Sequence, residues 1–563
     1  MSDMKKIYYT ILILPLLLVQ SCGFLDFDET SGLYEKEDIY RYFDRTKNML
    51  TYVYSYMPSD FGSLSNAMRD CGSDDAEYAD PSNTVQRFNN GNWTAINTVD
   101  TQWSLYNGVR GANEFLENID DVDFSMYESD PSYANWMEQL AYFPYEARVL
   151  RAYFFFELAR RYGDIAMPLK KLTVDEVENF PKTSFGDVIS FIVSECDECA
   201  PNLPESYLGN RVPEFGRVTK GFAMALKAKA LLYAASPLHN ESMDKAKWEA
   251  AAKASLDIIN LGIYSLDPED KCNNSYSPEI VLMRMYAENS NFELYNFPLR
   301  FTEGDRTVIG GNHPTQNLVD AFQTVNGYDV VLTEHGWVCD DPEFDPERPY
   351  DNRDPRFYRT VLANGMEFKG SEIQVYEGGA DYAATLDRGM SPTGYFLRKY
   401  IVEETSFTPE AELSARHYWV IYRYAETLLS YAEAMIEAFD SPDYKDATFT
   451  MSAAEALNQV RANAGMPEVT VKDKQAFVDA VRREWRVEFA FEDHRFWDVR
   501  RWCIGQQTQT GVDGVRILNT EDGLEYSRFT VEDRVWNDKM NLYPIPQTEL
   551  FNNEGLAPQN PGW

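Results

Sequence analysis

Apolar positions recur every three to four residues over several long windows of the chain, the spacing that gathers them on one face of an α-helix. Residues 146–162, EARVLRAYFFFELARRY, carry such a stripe and stop at Gly163-Asp164, and residues 185–200 repeat it after a connector that contains proline. The layout returns in 219–235, TKGFAMALKAKALLYAA, which ends at Ser236-Pro237, and in 247–261, KWEAAAKASLDIINL. A third pair follows in 422–439, YRYAETLLSYAEAMIEAF, and 452–464, SAAEALNQVRANA. Glycine and proline close these runs where a helix stops easily. The pattern predicts three helical hairpins.

Alanines on the inner faces, Ala223, Ala230 and Ala234 in one hairpin and Ala425 and Ala432 in another, let helix axes approach closely. Helix pairs of this kind resemble tetratricopeptide repeats, whose stacked hairpins share one continuous core. Two stretches break the pattern: residues 62–100 and, more extensively, 265–415, rich in Asn, Gly, Asp, Pro and aromatics. They predict loops and short strands. Ordering one loop residue costs about 1–2 kcal/mol of backbone entropy, so irregular segments this long are uncommon without a function. The expected fold class is therefore mostly α, a tetratricopeptide-like helical scaffold at about 35–265 and 416–505. It carries a large loop and short-strand region as binding surface at about 62–100 and 265–415, and a tail at 506–563.

The first residues change the picture. Lys5 and Lys6 precede an apolar run, 7–19, too short to span a bilayer comfortably at about 1.5 Å per residue. Val19-Gln20-Ser21-Cys22 then resembles a bacterial lipobox. Residues 1–21 are expected to be a lipoprotein signal peptide, with Cys22 the acylated first residue of a mature domain 22–563. The alternative is an ordinary cleaved secretory leader with a nearby cysteine. Asp26, Asp28 and Glu29 resemble the short acidic export signal of surface lipoproteins.

Charge and chemistry narrow the function. The net charge is −38, and about −39 once residues 1–21 leave with two Lys and one Asp, so a nucleic-acid backbone would be repelled. Aromatics reach 14%, which suits both a large core and a surface that stacks on sugar rings. Seven cysteines in 563 residues are too few for a disulfide scaffold. Cys196 and Cys199 form one CxxC without a second pair or a nearby histidine, and the five histidines are scattered, so no catalytic metal and no cofactor is expected. The acidic run 340–354 lacks the glycine and terminal glutamate of an EF-hand loop and predicts a solvated loop rather than a calcium site.

The blocks RYAETLLSYAEA (423–434), ALNQVRANAGMP (456–467), RREWRVEFAFEDHRFWDVRRW (482–502), LYPIPQTEL (542–550) and the terminal QNPGW resemble the signature blocks of the SusD/RagB family, and earlier blocks at 146–169, 216–238 and 354–365 agree. The resemblance spans essentially the whole mature chain. It implies a SusD-like fold and a non-enzymatic lipoprotein of the outer-membrane surface, which binds a nutrient, usually a glycan, above a SusC-like TonB-dependent transporter. A peptide-binding RagB-like role is the alternative within the family, and a secreted helical glycoside hydrolase the alternative outside it. In the signature helix Val481, Trp485 and Phe489 form an apolar stripe, and Glu484, Glu488 and Glu492 a neighbouring acidic one. Like charges at i, i+4 repel, so partners are expected from Arg482, Arg483, Arg486, Arg495, Arg500 and Arg501. The competing assignment, Glu484 and Glu488 as a glycosidase acid and base, needs a raised pKa that neighbouring arginines would prevent.

Sugar binding needs flat apolar faces together with amide or carboxylate groups. Four irregular stretches supply both: Asp74, Asp75 and Tyr78, leading to Asn92 and Trp93; Tyr286, Asn289 and Tyr295; Trp337; and Tyr376 with Tyr382 around Gly378-Gly379. Trp103, at helical spacing with Tyr106, Val109 and Ala112, is expected in the core.

Overall fold

The computed structural model describes residues 39–207, 214–267, 277–382 and 391–563. The expected leader and Cys22 lie outside these residues. Nine helices form the scaffold described below: α1 (Phe43–Tyr54), α2 (Leu105–Ile119), α3 (Tyr133–Tyr162), α4 (Phe185–Cys199), α5 (Lys220–Ala235), α6 (Lys245–Ile259), α7 (Tyr424–Phe439), α8 (Ala453–Asn463) and α9 (Lys474–Glu488). Each packs on the next from α1 to α8, and α9 lies on α7. The three predicted hairpins are present as α3–α4, α5–α6 and α7–α8. Thr219, Ser184, Asp244 and Ser452 cap their helices through side-chain oxygens, and Ser452 with Glu455 closes a capping box. Ala223, Ala230, Ala425 and Ala432 are fully buried between helices.

Two boundaries differ from expectation. Helix α3 begins 13 residues before position 146 and runs through Pro144. The proline costs a backbone hydrogen bond, but Phe143 and Ala147 on either side are fully buried, so packing carries the helix across it. Residues 422 and 423, expected as helix, end a strand, β6 (Tyr418–Arg423), that pairs antiparallel with β2 (Ile280–Met285) and feeds directly into α7. A further packed helix pair, α1 with α2, lies outside the three predicted hairpins, although the helical spacing of Tyr106, Val109 and Ala112 marks part of α2.

The irregular region is stitched by short antiparallel pairs. β1 (Ala76–Tyr78) joins β3 (Asn312–Pro314), and β4 (Val330–Thr333) joins β5 (Gly336–Cys339). The expected tail contains the longest pair, β7 (Gly511–Thr520) with β8 (Gly523–Asp533), and β8 packs beside β4 and β5. One buried core runs beneath α1–α5 and the short strands, and a second fills the space among α6–α9.

Candidate functional site

The signature helix is scaffold. Val481, Trp485 and Phe489 are each about 1% exposed. Their acidic neighbours are paired, but not with the arginines expected. Glu484 meets Arg356 at 2.5 Å and Arg461 at 2.9 Å; Glu488 meets Arg356 at 2.8 Å and Arg423 at 2.6 Å; Glu492 meets Arg423 at 2.8 Å and Lys399 at 2.6 Å. The local arginines point elsewhere, because residues two apart on a helix face roughly 200° apart. Arg486 and Arg495 hold Asp74, Arg501 holds Glu433 and Asp498, Arg483 reaches Asp329, Arg482 lies over Trp502, and Arg500 lies 3.4 Å from the Phe496 ring centre. Burial pushes the Glu492 carboxyl up, but Arg423 and Lys399 more than offset this and hold it down at about 2. Arg356 bridges Glu484 and Glu488, which ties the proposed acid and base to one cation.

The eleven candidate contacts fall into separate groups, and four of them are interior. Asp74 and Asp75 are buried; burial raises the Asp74 carboxyl, yet Arg486 and Arg495 hold it well below the usual range, and Gln509 donates to it at 2.6 Å. Burial pushes Asp75 up, against Arg486 at 2.6 Å. Tyr78 is 4% exposed on β1, with its ring where a Cβ on Gly311 would come within 2.6 Å. Trp93 is 2% exposed in an aromatic cluster, with ring centres 4.7 Å from Phe88 and Tyr543 and 4.9 Å from Trp563. These four side chains support their loops from beneath.

The other seven reach the surface. Asn92 is exposed, and its carbonyl accepts from Asn97 at 2.7 Å. Tyr286 is half-buried, bonded to Ser59 with its ring 5.6 Å from Phe61, and Asn289 braces the adjoining turn through Ala287 and Asn291 at 2.9 Å each. Tyr295 is half-buried, and its carbonyl accepts from Gly311, the residue Tyr78 packs against. Trp337, half-buried on β5, packs against Tyr350 at 5.8 Å and Tyr526 of β8 at 6.2 Å. The segment carrying Tyr376 and Tyr382 lies over the same hairpin: Glu377 donates to the Ile517 carbonyl at 2.8 Å, and Asn364 ties Val375 to Tyr526. The fold thus joins Trp337 with Tyr376 and Tyr382 on the β7–β8 hairpin, while the other groups remain apart.

The acidic run is self-satisfied: Asp341 accepts from Thr324 at 2.6 Å, and Asp354 pairs with Arg356 at 2.7 Å. Among the described residues no three His, Cys, Asp or Glu gather as metal ligands, and Cys196 and Cys199 are buried free thiols. Trp103 meets expectation in part: it packs, half-buried, against the core, its ring centre 5.3 Å from that of Tyr162. It precedes α2 and lines an open groove with Tyr106, because the apolar stripe that faces the core starts only at Leu105. The polar pair Asn107 and Arg110, three apart on α2 and both exposed, was the available signal for that open side.

Comparison with known proteins agrees with this architecture. A profile of the SusD family matches residues 278–563. SusD-like protein P25 of Formosa agariphila is 23% identical over 489 residues, which cover 82% of this chain and 78% of that protein. A solved SusD-like protein from Bacteroides fragilis superposes with a TM-score of 0.76 at 28% identity, covering 94% of this chain and 99% of its own. A SusD-like carbohydrate-binding protein from the same organism superposes with a TM-score of 0.73 at 24% identity, covering 92% of this chain and 100% of its own.

Proposed function

The chain belongs to the SusD family, and from that premise we propose that it is a surface lipoprotein anchored through Cys22, which captures oligosaccharide and delivers it to a SusC-like TonB-dependent outer-membrane transporter. The observation that carries this proposal is the likeness along nearly the whole chain to SusD-like proteins, one of them named as carbohydrate-binding. The capture face is the β7–β8 hairpin with Trp337, Tyr376 and Tyr382; Asn92, Tyr286, Asn289 and Tyr295 are further surface candidates set apart from it, and Asp74, Asp75, Tyr78 and Trp93 act from the interior as support. A half-buried indole offers an apolar face to a pyranose while its own packing holds it in place, so little side-chain entropy is lost on binding. Binding proceeds without hydrolysis, since the paired glutamates of α9 are committed to Arg356, Arg423 and Arg461. No described helix is long and apolar enough to cross a membrane, and lipid at Cys22 supplies the attachment.

Affinity electrophoresis and calorimetry against a panel of glycans test the proposal. Trp337→Ala and Tyr376→Ala should each weaken the best ligand by about tenfold, the scale of a lost aromatic stacking contact. Unchanged affinity in both variants removes the hairpin from the site, a peptide preferred over every glycan transfers the role to peptide uptake, and release of reducing ends refutes passive capture.

A further inference from the structure

We propose that the groove between α2 and the C-terminal helix Gln547–Asn552 is a second saccharide site, which accepts one neutral pyranose ring. The groove has a volume of about 220 Å3. That is below the range of about 300–1,000 Å3 used by drug-sized ligands and leaves room for a single sugar ring. Trp103 and Tyr106 form one wall, with ring centres 5.0 Å apart and planes tilted by 59°. The Tyr106 hydroxyl donates to the Ala166 carbonyl at 3.0 Å, which fixes that ring in place. Leu172, Phe180 and Leu556 close an apolar floor.

The rim decides the occupant. Asn107, Arg110, Glu549 and Asn552 stand around the opening, and among the described residues none of these side chains makes a hydrogen bond or an ion pair. An apolar segment of another protein pressed into the groove would strip water from four polar groups and return nothing, at about 1–3 kcal/mol for each group left unsatisfied. A sugar places its C–H face on the indole and its hydroxyls among the amides, the guanidinium and the carboxylate. Charge favours a neutral ring: Lys170 and Lys171, which also line the groove, are paired with Glu176 at 2.7 Å and Glu114 at 3.1 Å, and the other two charged lining residues, Arg110 and Glu549, are of opposite sign. Phe551, on the same helix as Glu549 and Asn552, is 77% exposed. None of these residues belongs to the loop face, so this site stands or falls separately from the capture face.

The test is saturation-transfer NMR and calorimetry on the intact protein with the methyl glycosides of glucose, galactose, mannose and xylose, each at tens of millimolar. At least one should bind. Trp103→Ala should weaken that binding by about tenfold, in line with the loss of one stacking partner. Because a half-buried indole also supports its surroundings, the exposed double variant Asn107→Ala/Asn552→Ala provides a second measure, with an expected loss of several-fold and an unchanged melting temperature. Absence of binding by all four glycosides overturns the proposal. So does binding that is abolished by Trp337→Ala and untouched by the groove variants, which would put the sugar on the loop face, and so does a groove that takes only an apolar dye, which would make it a protein-docking surface.

Discussion

Replacing Arg423 with methionine tests whether the buried ion-pair network, beyond helix packing, fastens α9 to the loop region. The Arg423 guanidinium side chain is 3% exposed and meets Glu279 at 2.7 Å, Glu488 at 2.6 Å and Glu492 at 2.8 Å, with the Glu488 carbonyl at 2.8 Å. Methionine keeps much of the stem that lies over Phe489, 4.1 Å from the guanidinium carbon, and removes the charge. For Glu492, the fall from its ordinary 4.5 to about 2, achieved by Arg423 and Lys399 against the opposing effect of burial, corresponds to about 3 kcal/mol at neutral pH. With Glu279 and Glu488 losing the same cation, the cost should be about 3–5 kcal/mol, the usual range for stranding one side of a buried pair. A carboxylate with a depressed pKa contributes its stability above 4.5 and loses it as pH falls towards 2, so the gap between wild type and variant should be full near neutrality and narrow below about 4.5. Urea unfolding near pH 7 and again at about pH 3.5, within the window where the paired carboxylate begins to lose its advantage, measures both. Arg483→Met is the reference: its pair with Asp329 is 2.7 Å long but 37% and 56% exposed, and should be worth less than about 1 kcal/mol. Equal losses in the two variants, or a gap for Arg423→Met that ignores pH, would refute the reasoning.

Asp74→Asn should lower stability by about 3–5 kcal/mol, because it strands Arg495 and weakens the hold on Arg486, yet leave glycan affinity unchanged; thermal unfolding with affinity electrophoresis checks both. His239, stacked on Phe185 at 3.5 Å, and His313 are each pushed down by burial to about 4, so both stay neutral in the fold while the unfolded chain protonates near 6.5. Stability should therefore be unaffected by these groups above pH 6.5 and fall between 6.5 and 4, by up to about 3 kcal/mol for each; imidazole NMR titrations with midpoints near 6.5 would contradict this. Gly505→Ala would drive a methyl group into the Trp536 indole and should cost about 1–3 kcal/mol, visible as a lower calorimetric melting temperature.

The helical hairpins were legible because their signal is local. The stripe of α5 or α7, its cap and its terminating residue all lie within about twenty residues of one another. Helix α2 was legible in part, from the helical spacing of Tyr106, Val109 and Ala112; its Gly108 and Gly111 are buried, and a Cβ on Gly108 would strike the Phe154 and Tyr56 side chains, so these glycines serve close approach of packed elements rather than a turn. The signature carboxylates were recognisable as ion-paired, but their partners were not, since Arg356 and Arg423 lie 132 and 65 positions from Glu488. The same limit governs the aromatics. Trp93 and Trp337 stand in similarly irregular sequence, and only tertiary packing makes one interior and leaves the other half-exposed. Trp103 was half right: it packs against the core beside Tyr162, with ring centres 5.3 Å apart, but it stands before the first turn of α2, where one side also faces an open groove.

Buried arginines explain how a region with so few strand pairs can hold a defined surface. An irregular backbone cannot satisfy its carbonyls through ladders, and each one buried without a donor is costly. Arg353, 1% exposed, answers this directly: its fork donates to the carbonyls of Phe322 at 2.6 Å, Val319 at 2.9 Å and Pro349 at 3.2 Å, joining two loop segments at one point beneath Trp337, whose ring centre lies 5.9 Å from the guanidinium carbon. Arg534 does the same for Ser73 and Ala76, next to the buried Asp74 and Asp75. Five donors in a rigid plane let one side chain replace several backbone bonds, which lysine could not do. In the proposed capture role, segments already tied down at Arg353 and Arg534 spare an incoming saccharide the entropy of ordering them.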